Sequence, residues 1–229
     1  MQAINNELYT RLLLIRHGQT QHNTQGFISG RSDIPINETG HQQASIMAKR
    51  VKMEYAVDVL YASPLQRTMQ TAHYLSQELG LPVIPHPDLI EYGFGELSDI
   101  SESILEKSNP ALFKQVRDWK EADFSVHHQR PSVAGMEPIE EFKNRIQAFT
   151  DMILKNHRGK TVAAVSHGGF IKSFLYYHAG GDFSQYVPFW VDNVSLSIVD
   201  FYRGNPVIRL FNDNSHIHED LELGSPRLL

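Results

Sequence analysis

An α/β fold with a mostly parallel central sheet flanked by helices is what this sequence predicts, and three observations carry the prediction. Short apolar runs alternate with longer stretches whose apolar residues recur every three or four positions, the strand–helix rhythm of a parallel sheet. The runs at 12–15 (LLLI) and 161–166 (TVAAVS) are apolar on both faces, as strands covered by helices on each side must be. Finally, the 229 residues are 41% hydrophobic and 21% charged, enough for a large core, with no repeat, low-complexity linker or composition break to divide it.

Residues 12–15 predict the first strand, ended abruptly by Arg16-His17-Gly18. Residues 38–54 predict a helix, capped by Asn37 and burying Ala44, Met47, Ala48 and Val51. A second strand follows at 57–63. Pro64 is placed to open a helix that turns Leu65, Met69, Ala72, Leu75 and Leu79 inward and stops at Gly80. A short third strand at 81–90 runs into proline-rich loop, two short helices are expected around Pro110 within 98–122, and 122–136 reads as loop. Pro138 fits the first turn of a long helix carrying Ile139, Phe142, Ile146, Phe149 and Ile153. The strand at 161–166 leads into a helix opened by Gly168-Gly169, and 194–201 and 205–211 predict an antiparallel hairpin around Arg203-Gly204-Asn205. The chain is therefore expected to be one domain over 1–229, with a small helical insertion at about 98–136 and an irregular tail from about 212.

Bulk properties narrow the function. A net charge of −5 and a pI of about 6.2 give no global basic field to recruit nucleic acid or an anionic membrane, so any anion site must be local. The absence of cysteine excludes disulfides and thiolate metal sites. No apolar run approaches the roughly 20 residues of a membrane helix, and the N-terminus lacks a basic start followed by an apolar stretch, which leads to the expectation of a cytoplasmic protein.

Chemistry concentrates at three strand ends. LLLIRHG and VAAVSHG each finish a buried strand with histidine followed by glycine, and YASPLQR delivers Arg67 from the first turn of the next helix. In a parallel sheet these ends share the carboxyl edge, where helix N-termini also gather. Arg16 and Arg67 offer the planar, permanently charged forks that fit phosphate oxygens. Together with His17 and His167 they describe a pocket for a compact dianion. Taken singly, each residue has a plainer explanation: a histidine after a strand most often caps a loop, and a lone arginine is most often solvated or ion-paired. The plain explanation holds for His127-His128 and for His216, His218, Glu219 and Asp220, which are expected in solvent, and for Trp119 and Trp190, expected to be packing residues.

The ordered motifs resemble those of the histidine phosphatase superfamily, the phosphoglycerate-mutase-like proteins. The stretch Arg16-His17-Gly18-Gln19-Thr20-Gln21-His22-Asn23 is similar to the family's Arg-His-Gly-x-Thr-x-x-Asn signature. Gly30, Asp33, Pro35 and Gly40 with Gln43-Ala44 follow in register, then Ser63-Pro64-Leu65-Gln66-Arg67 with Thr68 and Thr71-Ala72, Glu91 with Phe94-Gly95, Ser166-His167-Gly168-Gly169, and Asp192-Asn193 with Ser195. The resemblance spans about 12–200 and implies a three-layer sandwich. It implies His17 as nucleophile forming a phosphohistidine, Arg16, Arg67 and His167 holding the equatorial oxygens with Asn23 as a further donor, and Glu91 as general acid and then base. For the acid step Glu91 must be protonated. Gln19, Thr20, Gly30 and Gly168 complete the expected phosphate-binding set, with no metal and no cofactor.

Departures from the family pattern bear on substrate. Tyr92 and His22 stand where cofactor-dependent mutases carry arginine and tryptophan, and Arg117 and Arg130 are too far apart to replace the adjacent arginines of the mutase insertion. After Phe94-Gly95 the chain reads Glu96-Leu97-Ser98-Asp99, unlike the usual specificity loop, and Met136-Glu137-Pro138 replaces Gly-Glu-Ser. The reading is a metal-independent phosphomonoesterase acting on a small phosphorylated metabolite, with a small-molecule phosphate ester as partner and a homodimer left open. A cofactor-dependent phosphoglycerate mutase is the alternative. A non-catalytic phospho-ligand module, or a metal-dependent hydrolase built on the tail histidines, ranks below both.

Overall fold

The computed structural model describes residues 9–120, 131, 133–184 and 187–217. At its centre, β1 (Tyr9–Arg16), β3 (Val59–Ala62), β4 (Val83–Pro85) and β6 (Thr161–Ser166) form a parallel array. Beyond β1, β7 (Leu196–Tyr202) and β8 (Asn205–Asp213) continue the sheet antiparallel, giving the order β4-β3-β6-β1-β7-β8.

The twofold alternation of strand side chains divides the apolar runs between two helical layers. Leu12, Leu14, Val162 and Ala164 point to one face, where α6 (Ile139–Asn156) and α7 (Gly168–His178) bring Phe142, Ile146, Phe149, Phe170 and Phe174. Leu13, Ile15, Leu60, Ala62, Ala163 and Val165 point to the other, where α2 (Glu38–Glu54) and α3 (Gln66–Leu79) bring Met47, Ala48, Val51, Ala72 and Leu75. Each fully buried leucine or isoleucine contributes roughly 1.5–3 kcal/mol. The expected sandwich of a mostly parallel sheet between helices is what these two cores build.

Boundaries follow local chemistry. The helix expected over 38–54 occupies those residues, and the Asn37 side chain accepts the Gly40 N–H as its cap. Two prolines sit before their helices and not in the first turn: Pro64 lies outside α3, whose cap is Leu65, and Pro138 is itself the cap of α6. Gly80 closes α3 in the left-handed conformation (φ 70°). The segment around Pro110 forms α4 (Glu102–Ser108) and α5 (Pro110–Lys120). Unforeseen were α1 (Gln21–Gln25), directly after the first motif, and a separate pair of short strands, β2 (Phe27–Ile28) and β5 (Ile100–Ser101). Among the described residues no helix is long and apolar enough to cross a membrane. His127, His128, Arg130, His218, Glu219 and Asp220 lie outside the described residues.

Candidate active site

Sheet register builds the site. Arg16 pairs with Ser166 across β1 and β6, so the next residues on each strand, His17 and His167, come together with ring centroids 5.3 Å apart in an edge-on arrangement. Gly18 lets α2 close on this strand end: a Cβ there would fall 2.6 Å from the Gly40 carbonyl oxygen.

The His17 ring is oriented by its own loop. Its Nδ1 lies 2.7 Å from the Gly18 carbonyl oxygen, which can only accept, so Nδ1 carries the proton and Nε2 is left as the lone-pair nitrogen. Burial, then the charges of Arg67 and Arg16, push the His17 pKa well below its ordinary 6.5. The imidazole is therefore neutral at neutral pH, as a nitrogen nucleophile must be. Asn193 holds the strand end by donating to the His17 carbonyl oxygen (2.9 Å).

Arg67 is 1% exposed, and each of its three nitrogens makes one hydrogen bond, leaving a second N–H on each terminal nitrogen. Its guanidinium donates to the carbonyl oxygens of Ser32 (2.6 Å) and Gly30 (2.7 Å) and, through Nε, to His167 Nδ1 (3.1 Å). His167 Nδ1 thus accepts, which makes Nε2 the protonated nitrogen, donating to Ser63 Oγ at 2.8 Å. Burial lowers the Arg67 pKa to about 10 and, with the Arg67 charge, pushes His167 well below 6.5. Arg16 donates to the Val191 carbonyl oxygen (2.6 Å), while its buried Nε has no partner among the described residues. An orphaned charged donor beside a cavity is a place for an anion's oxygen.

Glu91, 8% exposed, stands across the cavity with Oε1 accepting the Tyr92 N–H (2.7 Å) and Oε2 the Gly169 N–H (2.9 Å) in the first turn of α7. Residue 169 has to be glycine for this contact, since a Cβ there would lie 2.5 Å from Oε1. Behind Glu91 is a network the sequence did not reveal. Glu137 pairs with Arg145 (2.7 Å) and Arg31 (2.8 Å) and accepts the Gly93 N–H (3.1 Å). Arg145 also donates to the carbonyl oxygens of Asp88, Ile90 and Glu91. Burial is the largest single influence on Glu137 and works to raise its pKa. The Arg145 hydrogen bond and charge, the Gly93 N–H and the Arg31 charge together outweigh it, so the net shift is downward and the pair stays charged. The loop bearing Glu91 is thereby fixed to α6. The available signal was Arg145 beside the apolar stripe of that helix.

A cavity of about 140 Å³ opens over these groups. Arg16, His17, Asn23, Gly30, Arg67, Glu91 and Gly168 line it, so most of the expected set meets there. Asn23 Oδ1 accepts from the Thr20 N–H and from Asn193, leaving its amino group as the free end. His167, Gln19 and Thr20 are not on the wall. His167 lies behind Arg67. Gln19 is buried against α2, accepting the Asn37 side chain and donating its N–H to Gln43, and Thr20 caps α1. Trp119 and Trp190, expected as packing residues, do line the cavity, and Trp190 donates to Asp192 (2.7 Å). His216, expected in solvent, is half-buried with Nδ1 2.9 Å from the Arg50 guanidinium. Among the described residues no group of three or more histidine, aspartate and glutamate side chains is placed to hold a metal ion.

Comparison with known proteins agrees with this geometry. Phosphoserine phosphatase 1 of Hydrogenobacter thermophilus is 31% identical over 91% of this chain and 95% of its own. The metal-independent phosphoserine phosphatase of Arabidopsis thaliana is 27% identical over 91% of this chain and 83% of its own. The crystal structure of phosphoserine phosphatase from Entamoeba histolytica, in complex with 3-phosphoglyceric acid, is 27% identical and matches 91% of this chain and 100% of its own with a TM-score of 0.75. The family model of the histidine phosphatase superfamily, branch 1, matches residues 12–214, and the chain belongs to that superfamily.

Proposed function

We propose that this protein is a metal-independent phosphomonoesterase that hydrolyses a small phosphate ester through a phosphohistidine on His17. One observation carries the reading. His17 is neutral, its Nδ1 proton is held by the Gly18 carbonyl, and its Nε2 lone pair is left for the cavity it shares with Arg16, Arg67 and Glu91. The names of the relatives, several of them phosphatases, support the same reaction class.

The reaction follows from these positions. The Nε2 lone pair attacks phosphorus as the bond from phosphorus to the ester oxygen breaks, and Glu91 delivers its proton to the departing alkoxide. Arg16, Arg67 and the Asn23 amide hold the three equatorial oxygens and stabilise the charge spread over them. Glu91, now ionised, takes a proton from water as the water attacks the phosphohistidine. That step releases inorganic phosphate and restores both groups. The 98–136 segment belongs to the same catalytic domain in this reading, because α5 supplies Trp119 to the cavity wall.

Brief mixing with substrate and quenching without acid should reveal a phosphoryl adduct, acid-labile and base-stable, located on His17 by mass spectrometry. Phosphate found on Ser63, or full activity in His17→Ala, would overturn the mechanism.

A further inference from the structure

The cavity has two chemically different ends. Beyond the charged groups its wall is aromatic: Phe27 on β2, Phe94 on the loop that follows Glu91, Trp119 on α5, and Phe183, Phe189 and Trp190 on the segment between α7 and β7. These rings are held by further ring contacts. Phe183 and Phe189 both meet Tyr176 edge-on, at 5.4 Å and 6.1 Å, and Phe94 meets Tyr92 at 5.2 Å. Phe183 keeps its place with φ at 63°, a left-handed conformation uncommon for an aromatic residue and a form of strain that gathers at ligand sites. Two guanidinium groups, Arg16 and Arg67, line the cavity at its charged end together with one carboxylate, Glu91, among the described residues.

We infer that the alcohol released by this enzyme carries an apolar, ring-bearing group, seated between Trp119 and Phe189, in place of the ammonium and carboxylate of an amino acid. This deepens the phosphatase reading and rests on it. A phosphoserine ammonium would need a carboxylate or several carbonyl acceptors at the leaving-group end. Glu91 is the one carboxylate on the described wall, both its oxygens already accept backbone N–H groups, and it must serve the ester oxygen. A quaternary ammonium could also lie on ring faces, and choline phosphate in the test below separates it from an apolar ring. A flat apolar group finds preformed rings and displaces water from them, the arrangement that gives a small-molecule site its affinity.

The test compares kcat/KM for four alkyl esters: 2-phenylethyl phosphate, ethyl phosphate, phosphoserine and choline phosphate. Their alkoxides are all poor leaving groups, so differences report mainly on the leaving-group end. The phenyl ester is expected to exceed ethyl phosphate by roughly 10- to 100-fold, the usual worth of burying one ring, and to exceed the other two as well. Trp119→Ala and, from a different element, Phe189→Ala should each cut the phenyl-to-ethyl ratio by about fivefold or more. Phosphoserine or choline phosphate turned over as well as the phenyl ester overturns the inference and leaves the phosphatase intact, as does a ratio unchanged in both variants. No turnover of any ester, nor of p-nitrophenyl phosphate, defeats the phosphatase reading and the inference with it.

Discussion

Two strand ends spell nearly the same word, Arg16-His17-Gly18 and Ser166-His167-Gly168, on neighbouring strands in register, yet their histidines are wired oppositely. His17 spends one nitrogen on a carbonyl of its own loop and leaves the other open. His167 has both nitrogens engaged, by Arg67 and by Ser63, and is wholly buried. Both are held neutral by burial and by the same arginine charge. Protonation state therefore does not separate attacker from support. Hydrogen-bond partners do, and we assign His167 as a positioning residue that acts through Arg67.

The sharpest way to break this comparison is to make the same substitution at both ends. His17→Asn removes the nucleophile and should reduce kcat by about 10⁴-fold or more, with no adduct. His167→Asn keeps an acceptor for the Arg67 Nε and should lose only about 10- to 100-fold, less than loss of an oxyanion donor at its worst. It should still form the adduct on His17. Rapid-quench measurement of adduct formation in both variants decides the matter, and equal loss at the two positions would end the distinction.

Gly169→Ala probes the other side of the cavity without touching either histidine. The new Cβ would collide with Glu91 Oε1, so the acid is displaced and not deleted. Phosphohistidine formation from alkyl phosphates should fall about tenfold, part of the 10²–10⁴ that a positioned acid is worth. Formation from p-nitrophenyl phosphate should be nearly unaffected, because nitrophenolate departs without a proton. Single-turnover kinetics on the two ester types provides the readout, and equal losses would remove Glu91 from the role of proton donor.

The smallest expected effect concerns stability. Buried neutral histidines bind protons more readily in the unfolded chain. Their contribution is full above pH 6.5 and is lost as pH falls through the folded-state value. His178, hydrogen-bonded to Thr150, and His216, beside Arg50, both titrate at about 4 for reasons of burial. Unfolding free energy should therefore decline between pH 6.5 and about 4, by the order of 1 kcal/mol for each. Denaturant melts should show the decline, and His178→Gln should lessen it.

The same contrast explains what could be read from sequence. The two motifs and the strands feeding them were legible because continuous apolar runs and ordered residue types are local signals. Leu12 to Ile15 show both cores at once. What each histidine does was not legible, because it depends on Ser63 and Arg67, which only the β3–β6 register brings near. Gln19 and Thr20 matched the motif as phosphate contacts, but short-range capping and packing on α2 claim them. Glu137 and Arg145 were missed since they pair with each other across eight residues and tie to the backbone of the Glu91 loop, and backbone groups leave no mark in a sequence. The aromatic wall was missed because its rings are spread over β2, the Glu91 loop, α5 and the segment between α7 and β7, which only the fold brings together.

Arg67 is anchored by neutral groups, two carbonyl oxygens and one imidazole, and no carboxylate among the described residues forms an ion pair with it. Its nearest cationic neighbour in the cavity, Arg16, lowers its pKa further. Two like charges are thus held together in a dry place, partly offset by the Glu91 carboxylate across the cavity, a tension in the fold that a bound dianion relieves. Inorganic phosphate, the product, relieves it as well as substrate does, since it presents the same oxygens. The reaction therefore ends with a ligand that the folded state itself prefers to keep. Under the proposed reaction, inorganic phosphate is therefore expected to compete with substrate, a brake set by the charge layout and not by the chemistry of cleavage.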